Sequence, residues 1–279
     1  MACKAKRLDV LPTIWNASDE LWADVAAVLA EHDPPAKFGP KRIDQRKAFD
    51  GVIYRMRSGV QWNHLPEEFG DDASVHRTFQ RWVRRGVLPR LWAVLVEDCE
   101  ELGGVDWKWQ SFDCAMGKAR HGGDEVGPNP TDRAKNGTKR GVLTEADGGP
   151  IGIVVAPANR HDSLLLQDAL EAVIVEPPNP LNHRRHLCLD KAFDGAPSEA
   201  TAIVFGYEPH IRRIGEEKLD RGGRKRRKAR RYVVERTISW LNRCRGILVR
   251  YEKKAENYLA AVQLACALLW FRRKYRLAT

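Results

Sequence analysis

Glu235 follows Arg231 by one helical turn inside the stretch Lys228 to Gly246, KARRYVVERTISWLNRCRG. Just before it, eight of the eleven residues from Arg221 to Arg231 are Arg or Lys. A carboxylate on a rigid helix beside dense positive charge can hold a metal ion against a polyanion. It can equally be an i,i+4 ion pair on a solvated face. Two more carboxylates are placed for chemistry: Asp113 is expected to end one strand, and Asp190 ends the short apolar strand HLCLD (186–190). If those strands are neighbours, both carboxylates reach one sheet edge and Glu235 can be brought over them. Three convergent carboxylates repel one another unless cations are present. Two Mg²⁺ ions about 3.5–4 Å apart would answer that repulsion and serve an in-line phosphoryl transfer. Taken singly, each Asp is equally a strand-end or capping residue, and spacing alone does not bring the three together.

The elements that must position these groups are read from periodicity. In the C-terminal stretch, Val233, Val234, Thr237, Trp240, Leu241, Cys244 and Leu248 fall on one helical arc. Arg231, Glu235, Ser239 and Asn242 fall on the other side. Nearer the N-terminus, helices are expected over 18–30, 42–57, 72–84 and 87–102. The third buries Val75, Phe79 and Trp82 and carries Arg77, Arg81, Arg84 and Arg85 outside, which reads as a helix-turn-helix-like module or a plain helical bundle. At Gly104 the period changes to two, with an extended run through Asp113. A glycine- and proline-rich loop is expected over 117–138, then a hairpin of 139–145 and 150–156 about Asp147-Gly148-Gly149. A helix from Asp162 or Ser163 to about Val175, the strand 186–190, a helix over 196–202, strands at 203–205 and 210–212, and two C-terminal helices complete the order. This is an α/β class with a mixed sheet, preceded by a small helical domain. The boundary falls at 102, giving 1–102 and 103–279.

The sequence holds 47 Lys and Arg against 37 Asp and Glu, a formal charge of +10, which favours a polyanionic partner. The cluster at 221–231 favours phosphate contact specifically, or is a solvated basic loop. Six cysteines at 3, 99, 114, 188, 244 and 266 form no CxxC pair and read as free thiols of a reducing compartment. The most apolar run, Tyr258 to Phe271, is too short for a bilayer and reads as a buried terminal helix. A soluble, cytoplasmic protein is expected.

The chain resembles the DDE transposases of bacterial insertion sequences, specifically the IS5 group of the IS4-like set. The resemblance rests on SDELWADVAAVL, FDGVIYRMRSGVQWNHLPEEFG and VHRTFQRWVRRGVL in the helical region. In the remainder it rests on WQSFDCAMGKA, GPNPTDRAKNGTKR, VVAPANRHDS, HLCLDKAFD and RRYVVERTISWLNRCRGILVRYEKKAENY, in this order. It implies an RNase H-like catalytic domain, with catalytic, metal-binding carboxylates at Asp113 in SFD, Asp190 in LCLDK and Glu235 in VVERT. Asp194 is a decoy for the second aspartate. The arginine of the family's Y-R-E-K signature matches Arg231. Its tyrosine is replaced by Lys228 and its lysine by Asn242, with Arg243 next door to supply the charge.

What the resemblance implies is cleavage at terminal inverted repeats and attack of the freed 3′-OH on target DNA, with two Mg²⁺ ions, Mn²⁺ substituting. The partners would be double-stranded DNA and further copies of the chain in a homodimer or higher assembly, at the nucleoid and with no membrane. DNA contacts are expected from Arg77, Arg81, Arg84, Arg85, Arg133, Lys139, Arg224, Lys225, Arg226, Arg227, Lys228, Arg231 and Arg243; His161 and Asp162 are further candidates. The competing readings are another RNase H-like nuclease, such as a resolvase, and a catalytically silent DNA-binding protein descended from a transposase.

Overall fold

The computed structural model describes residues 13–35, 38, 41–211 and 230–278. Within these, α1 (Asp19–His32), α2 (Gln45–Ser58), α3 (Asp72–Arg84) and α4 (Val87–Glu101) follow the expected periodicity closely. Local chemistry sets their ends. Ser18, Asp44 and Asp71 cap α1, α2 and α3 by accepting backbone N–H groups of the first turn. Gly59 closes α2 in the left-handed conformation at φ 70°.

The sheet holds β1 (Trp109–Ala119), β2 (Gly127–Pro128), β3 (Asn136–Thr144), β4 (Pro150–Pro157), β5 (Arg185–Leu189), β6 (Tyr207–Ile211) and β7 (Val249–Arg250). β4, β3 and β1 are antiparallel, and β1, β5 and β6 are parallel. The short β2 joins the outer edge of β3, and β7 joins β1 at Lys118 and Ala119. Three antiparallel strands continued by two parallel ones form the mixed sheet of the expected RNase H-like domain. Helices α5 (Leu165–Glu171), α6 (Ala196–Val204), α7 (Tyr232–Leu241), α8 (Arg245–Leu248) and α9 (Ala255–Ala278) complete the described elements.

Several expectations are corrected. Asp113 is not a strand end: β1 runs on through Ala119, because β3 pairs with it from Ser111 to Lys118 and satisfies its backbone. Gly117 allows a close approach there, since a Cβ would lie 3.2 Å from the carbonyl oxygen of Leu248. The supposed loop over 117–138 therefore contributes the end of β1, β2 and the start of β3. Helix α5 stops at Glu171 rather than Val175. Residues 203–205 are no strand: α6 continues to Val204 and leaves Ile203 and Val204 exposed despite their β-branched side chains. The strand expected at 210–212 begins three residues earlier, at Tyr207, and is described to Ile211; Arg212 lies outside the described residues.

One hydrophobic core runs through the helical region and the sheet region. The fully buried Trp92 on α4 and Trp270 on α9 both donate to the carbonyl oxygen of Pro150 at the start of β4, at 3.1 and 2.6 Å. Gly149 is required beside them, as a Cβ would come within 2.3 Å of the Trp270 ring. At the rim, Lys274 on α9 bridges Asp24 of α1 and Asp98 of α4. Five cysteines, at 99, 114, 188, 244 and 266, are free thiols. No helix among the described residues is long and apolar enough to cross a membrane.

Candidate active site

The register of the two central parallel strands decides where the aspartates lie. Ser111 of β1 pairs with Cys188 of β5, and Trp109 with His186. That register runs toward Asp113 on β1 and Asp190 just past the end of β5, and Asp190 is among the charges that act on Asp113. Strand β5 ends at Leu189, so Asp190 stands where the chain leaves the sheet. It caps the 3-10 turn Lys191–Phe193, its Oδ1 accepting from the Ala192 amide at 2.7 Å. The Asp113 Oδ1 accepts from the Cys114 amide at 2.8 Å. Backbone amides thus orient both aspartates through one oxygen.

Helix α7 supplies the third carboxylate and lies across β1 and β3. Val234, Thr237 and Leu241 face the core, and Glu235 falls on the outer side of the first turn, its side chain 52% exposed. The helix is fixed by the β3–β4 turn: Thr237 Oγ1 donates to the Gly148 carbonyl at 2.6 Å, and Arg236 donates to the Asp147 carbonyl at 2.5 Å. Gly148 has φ 91°, and a Cβ there would sit 2.9 Å from the Arg236 guanidinium and 3.0 Å from Thr237 Oγ1. The turn must therefore be glycine for α7 to seat.

Arg231, at the N-cap of α7, joins the carboxylates. Its guanidinium lies 2.9 Å from Glu235 Oε1 and 3.5 Å from Asp190 Oδ2. Burial pushes the Asp113 carboxyl up to about 6; the Cys114 amide and Arg231 oppose this, while Asp190 and Glu235 add to it. Three carboxylates around one cation leave a local excess of negative charge. The donor set is all hard carboxylate oxygen, which suits Mg²⁺ or Mn²⁺. Asp194 is exposed, four residues beyond Asp190, and is not among the charges acting on Asp113.

The remaining expected residues are scattered. Arg77 and Arg84 are exposed on α3. Arg81 and Arg85 instead turn onto the buried Asp33 just beyond α1, at 3.0 and 2.6 Å, joined by Arg42 at 3.1 Å. Arg133 is exposed in the turn before β3. Lys139 is buried, its Nζ bound to Asp162 and to the Arg160 carbonyl at 2.6 Å. His161 caps the 3-10 turn Asp162–Leu164, its ring accepting from the Ser163 amide. Arg243 is exposed just past α7. Arg224, Lys225, Arg226, Arg227 and Lys228 lie outside the described residues.

Sequence reasoning did not single out Arg140. Buried on β3, it donates to Asn242 Oδ1 at 2.7 Å, so the asparagine at the signature's lysine position is occupied in holding a second cation under α7. In the sequence it stands beside Lys139 in the polar first half of β3, where nothing marks it as buried.

Two family models match the chain. Residues 17–92 match "Putative transposase of IS4/5 family (DUF4096)" and residues 106–270 match "Transposase DDE domain". The protein named "Putative transposase for insertion sequence element IS402", from Burkholderia cepacia, is 32% identical over 156 residues, 54% of this chain and 70% of that protein. The "Insertion element IS402 uncharacterized 16.2 kDa protein" of the same organism is 27% identical over 116 residues, covering 40% and 79%. A solved structure, "Crystal structure of the Mos1 mariner paired end complex with Mn", aligns over 92% of this chain and 86% of its own at 10% identity and a TM-score of 0.28. A likeness so slight adds nothing to the sheet order.

Proposed function

The chain belongs to the DDE-domain transposases of the IS4/5 family, and from that premise we propose that it cuts DNA at the terminal inverted repeats of an insertion sequence and joins the freed 3′-OH ends to target DNA. Asp113, Asp190 and Glu235 hold the reacting centre. What supports this is one observation: Asp190 and Glu235 both act on the Asp113 carboxyl, and a single guanidinium links Asp190 to Glu235.

Two Mg²⁺ ions bound by the three carboxylates would supply charge neutralisation of the scissile phosphate and activation of water and then of the 3′-OH. The chain's own residues do the rest. The Cys114 and Ala192 amides fix the aspartate rotamers, so the uncommitted oxygens point into the site without loss of freedom on binding. Arg231 balances the carboxylates before DNA arrives and then serves as a phosphate donor beside them. The basic residues Arg77, Arg81, Arg84, Arg85, Arg133, Arg224, Lys225, Arg226, Arg227, Lys228 and Arg243 neutralise backbone phosphates, with α1–α4 reading the terminal repeat, whereas the buried Lys139 is already held by Asp162 and drops out of the DNA surface. Because one chain holds one site and an element has two ends, two or more copies act together on double-stranded DNA at the nucleoid.

The test is a strand-cleavage and end-joining assay on a duplex carrying the native terminal repeat, with Mg²⁺ or Mn²⁺. Nicking at the repeat boundary and joining of the labelled 3′-OH to a second duplex are expected from the full chain and absent from its Asp190→Asn variant. Repeat-specific binding with no cleavage under either metal would overturn the proposal in favour of a silent DNA-binding descendant.

A further inference from the structure

A second group of metal-type ligands stands on the same face of the sheet, upstream of Asp190. His186 of β5 pairs in register with Glu208 of β6, and Cys188 with His210, so His186, Glu208 and His210 point to one side. One ligand atom from each lies within 4.8 Å of the other two. His186 Nδ1 is 2.9 Å from His210 Nε2 and 3.5 Å from Glu208 Oε2, and His210 Nε2 is 4.0 Å from Glu208 Oε1. Around a tetrahedral ion with roughly 2.0–2.1 Å bonds, ligand atoms stand about 3.4 Å apart. We propose that His186, Glu208 and His210 form a binding site for one zinc-class divalent cation, distinct from the three carboxylates.

The chemistry of the donors separates the two sites. Two imidazoles and one carboxylate suit a borderline ion such as Zn²⁺, whereas the carboxylates alone suit Mg²⁺. His186 is four residues from Asp190, about 13 Å along an extended strand. The ligands are held from outside, as metal ligands commonly are. Trp109 stacks on the His186 ring at 4.3 Å between centroids and lies 4.9 Å from that of His210. Arg184 binds Glu208 Oε2 at 2.7 Å from Nε, which leaves Oε1 to turn toward a cation. The side chains of Glu208 and His210 are 40% and 37% exposed, which gives an ion and its remaining water ligand a way in. Arg230 lies over the Trp109 ring at 4.1 Å and directly precedes Arg231. An ion here would therefore tie β5 and β6 to the aromatic anchor from which the catalytic helix starts.

The test uses the full chain with Asp113→Asn, Asp190→Asn and Glu235→Gln combined, so that failure of the carboxylate reading cannot be mistaken for failure of this one. Titration with Co²⁺, followed by its visible absorption, and with Zn²⁺, followed by calorimetry, should each give one equivalent bound per chain. Zn²⁺ should displace Co²⁺, and excess Mg²⁺ should not. His210→Ala, at the half-exposed position, and the near-isosteric Glu208→Gln should each weaken binding at least ~10-fold, on the scale seen when a group supporting a metal ligand is removed. His183→Ala, an exposed histidine outside the group, should bind as the parent does. Circular dichroism and the melting temperature establish that each variant is folded. No Co²⁺ absorption in the folded parent, or an isotherm unchanged by both His210→Ala and Glu208→Gln, would overturn the proposal.

Discussion

Two charge clusters in this molecule are mirror images in composition. In the helical region one carboxylate, Asp33, is surrounded by three arginines, Arg42, Arg81 and Arg85, and also accepts from the Trp82 indole at 3.0 Å. On the sheet, three carboxylates surround one arginine, Arg231. The Asp33 side chain is fully buried and its oxygens are saturated by donors, so the group is a structural fastener between the end of α1 and α3. The carboxylates at 113, 190 and 235 are partly open to solvent and short of donors. The first cluster has positive charge to spare toward a phosphate backbone. The second has negative charge to spare toward cations. Counting acids and bases in a cluster together with their burial separates a fastener from a site, where the mere presence of an ion pair does not.

The largest contrast is expected in catalysis. Asp113→Asn, Asp190→Asn or Glu235→Gln should each lower metal-dependent cleavage roughly 10³-fold or more, equivalent to about 4 kcal/mol of transition-state stabilisation. Melting temperatures should not fall. A variant that cleaves normally would remove its residue from the site and weaken the comparison.

The mirror-image experiment is Asp33→Ala. Leaving three arginines around a buried void should cost about 3–5 kcal/mol of stability, read as a loss in urea midpoint. Stability within about 1 kcal/mol of the parent would mean that the arginines are not held by Asp33, and that Arg81 and Arg85 are as free as Arg77.

A smaller effect concerns pH. The Asp113 carboxyl, raised by burial from an ordinary 3.8 to about 6, binds its proton more tightly folded than unfolded. Between those values the native state holds more protons, so its contribution is present below about pH 4 and is lost as pH rises through 6. In EDTA, Asp113→Asn should flatten this part of the melting-temperature profile and raise the melting temperature at pH 7, with no difference at pH 4. A parallel pair of profiles would show that Asp113 is not a destabilised carboxylate.

The smallest effect is at Arg77, whose side chain is 69% exposed and, among the described residues, meets Ser74 at 2.8 Å and Asp71 at 3.8 Å. Arg77→Ala should change stability by no more than about 0.5 kcal/mol. It should reduce the salt slope of duplex binding by about one unit. An unchanged slope in fluorescence-anisotropy titrations would take Arg77 out of the DNA surface.

Much of this was legible in the sequence because it is local. The helices α1 to α4 were readable to within a few residues, since period and capping residues act within one or two turns. The pair Arg231–Glu235 was readable for the same reason: i,i+4 spacing on a helix fixes their approach. The extent of β1 was not, because its second half is a strand only through pairing with β3, and glycines there read as loop. Residues 203–205 misled in the opposite way, since β-branched propensity yields to the continuing α6.

What the sequence by itself determined is the inventory: three carboxylates, an arginine one turn before the last, and a set of blocks in the order of a transposase family. What only the tertiary structure decided is which charges meet. Asp113 and Asp190 are brought together as the parallel strands β1 and β5 pair segments far apart in the chain, and Asp33 is claimed by Arg42 ahead of α2 and by Arg81 and Arg85 at the end of α3. The histidines at 186 and 210 meet Glu208 through the β5–β6 register, with no spacing that announces it. Periodicity and capping are encoded within a turn, whereas a register is set by the whole buried face of a sheet, and no short window of residues contains it.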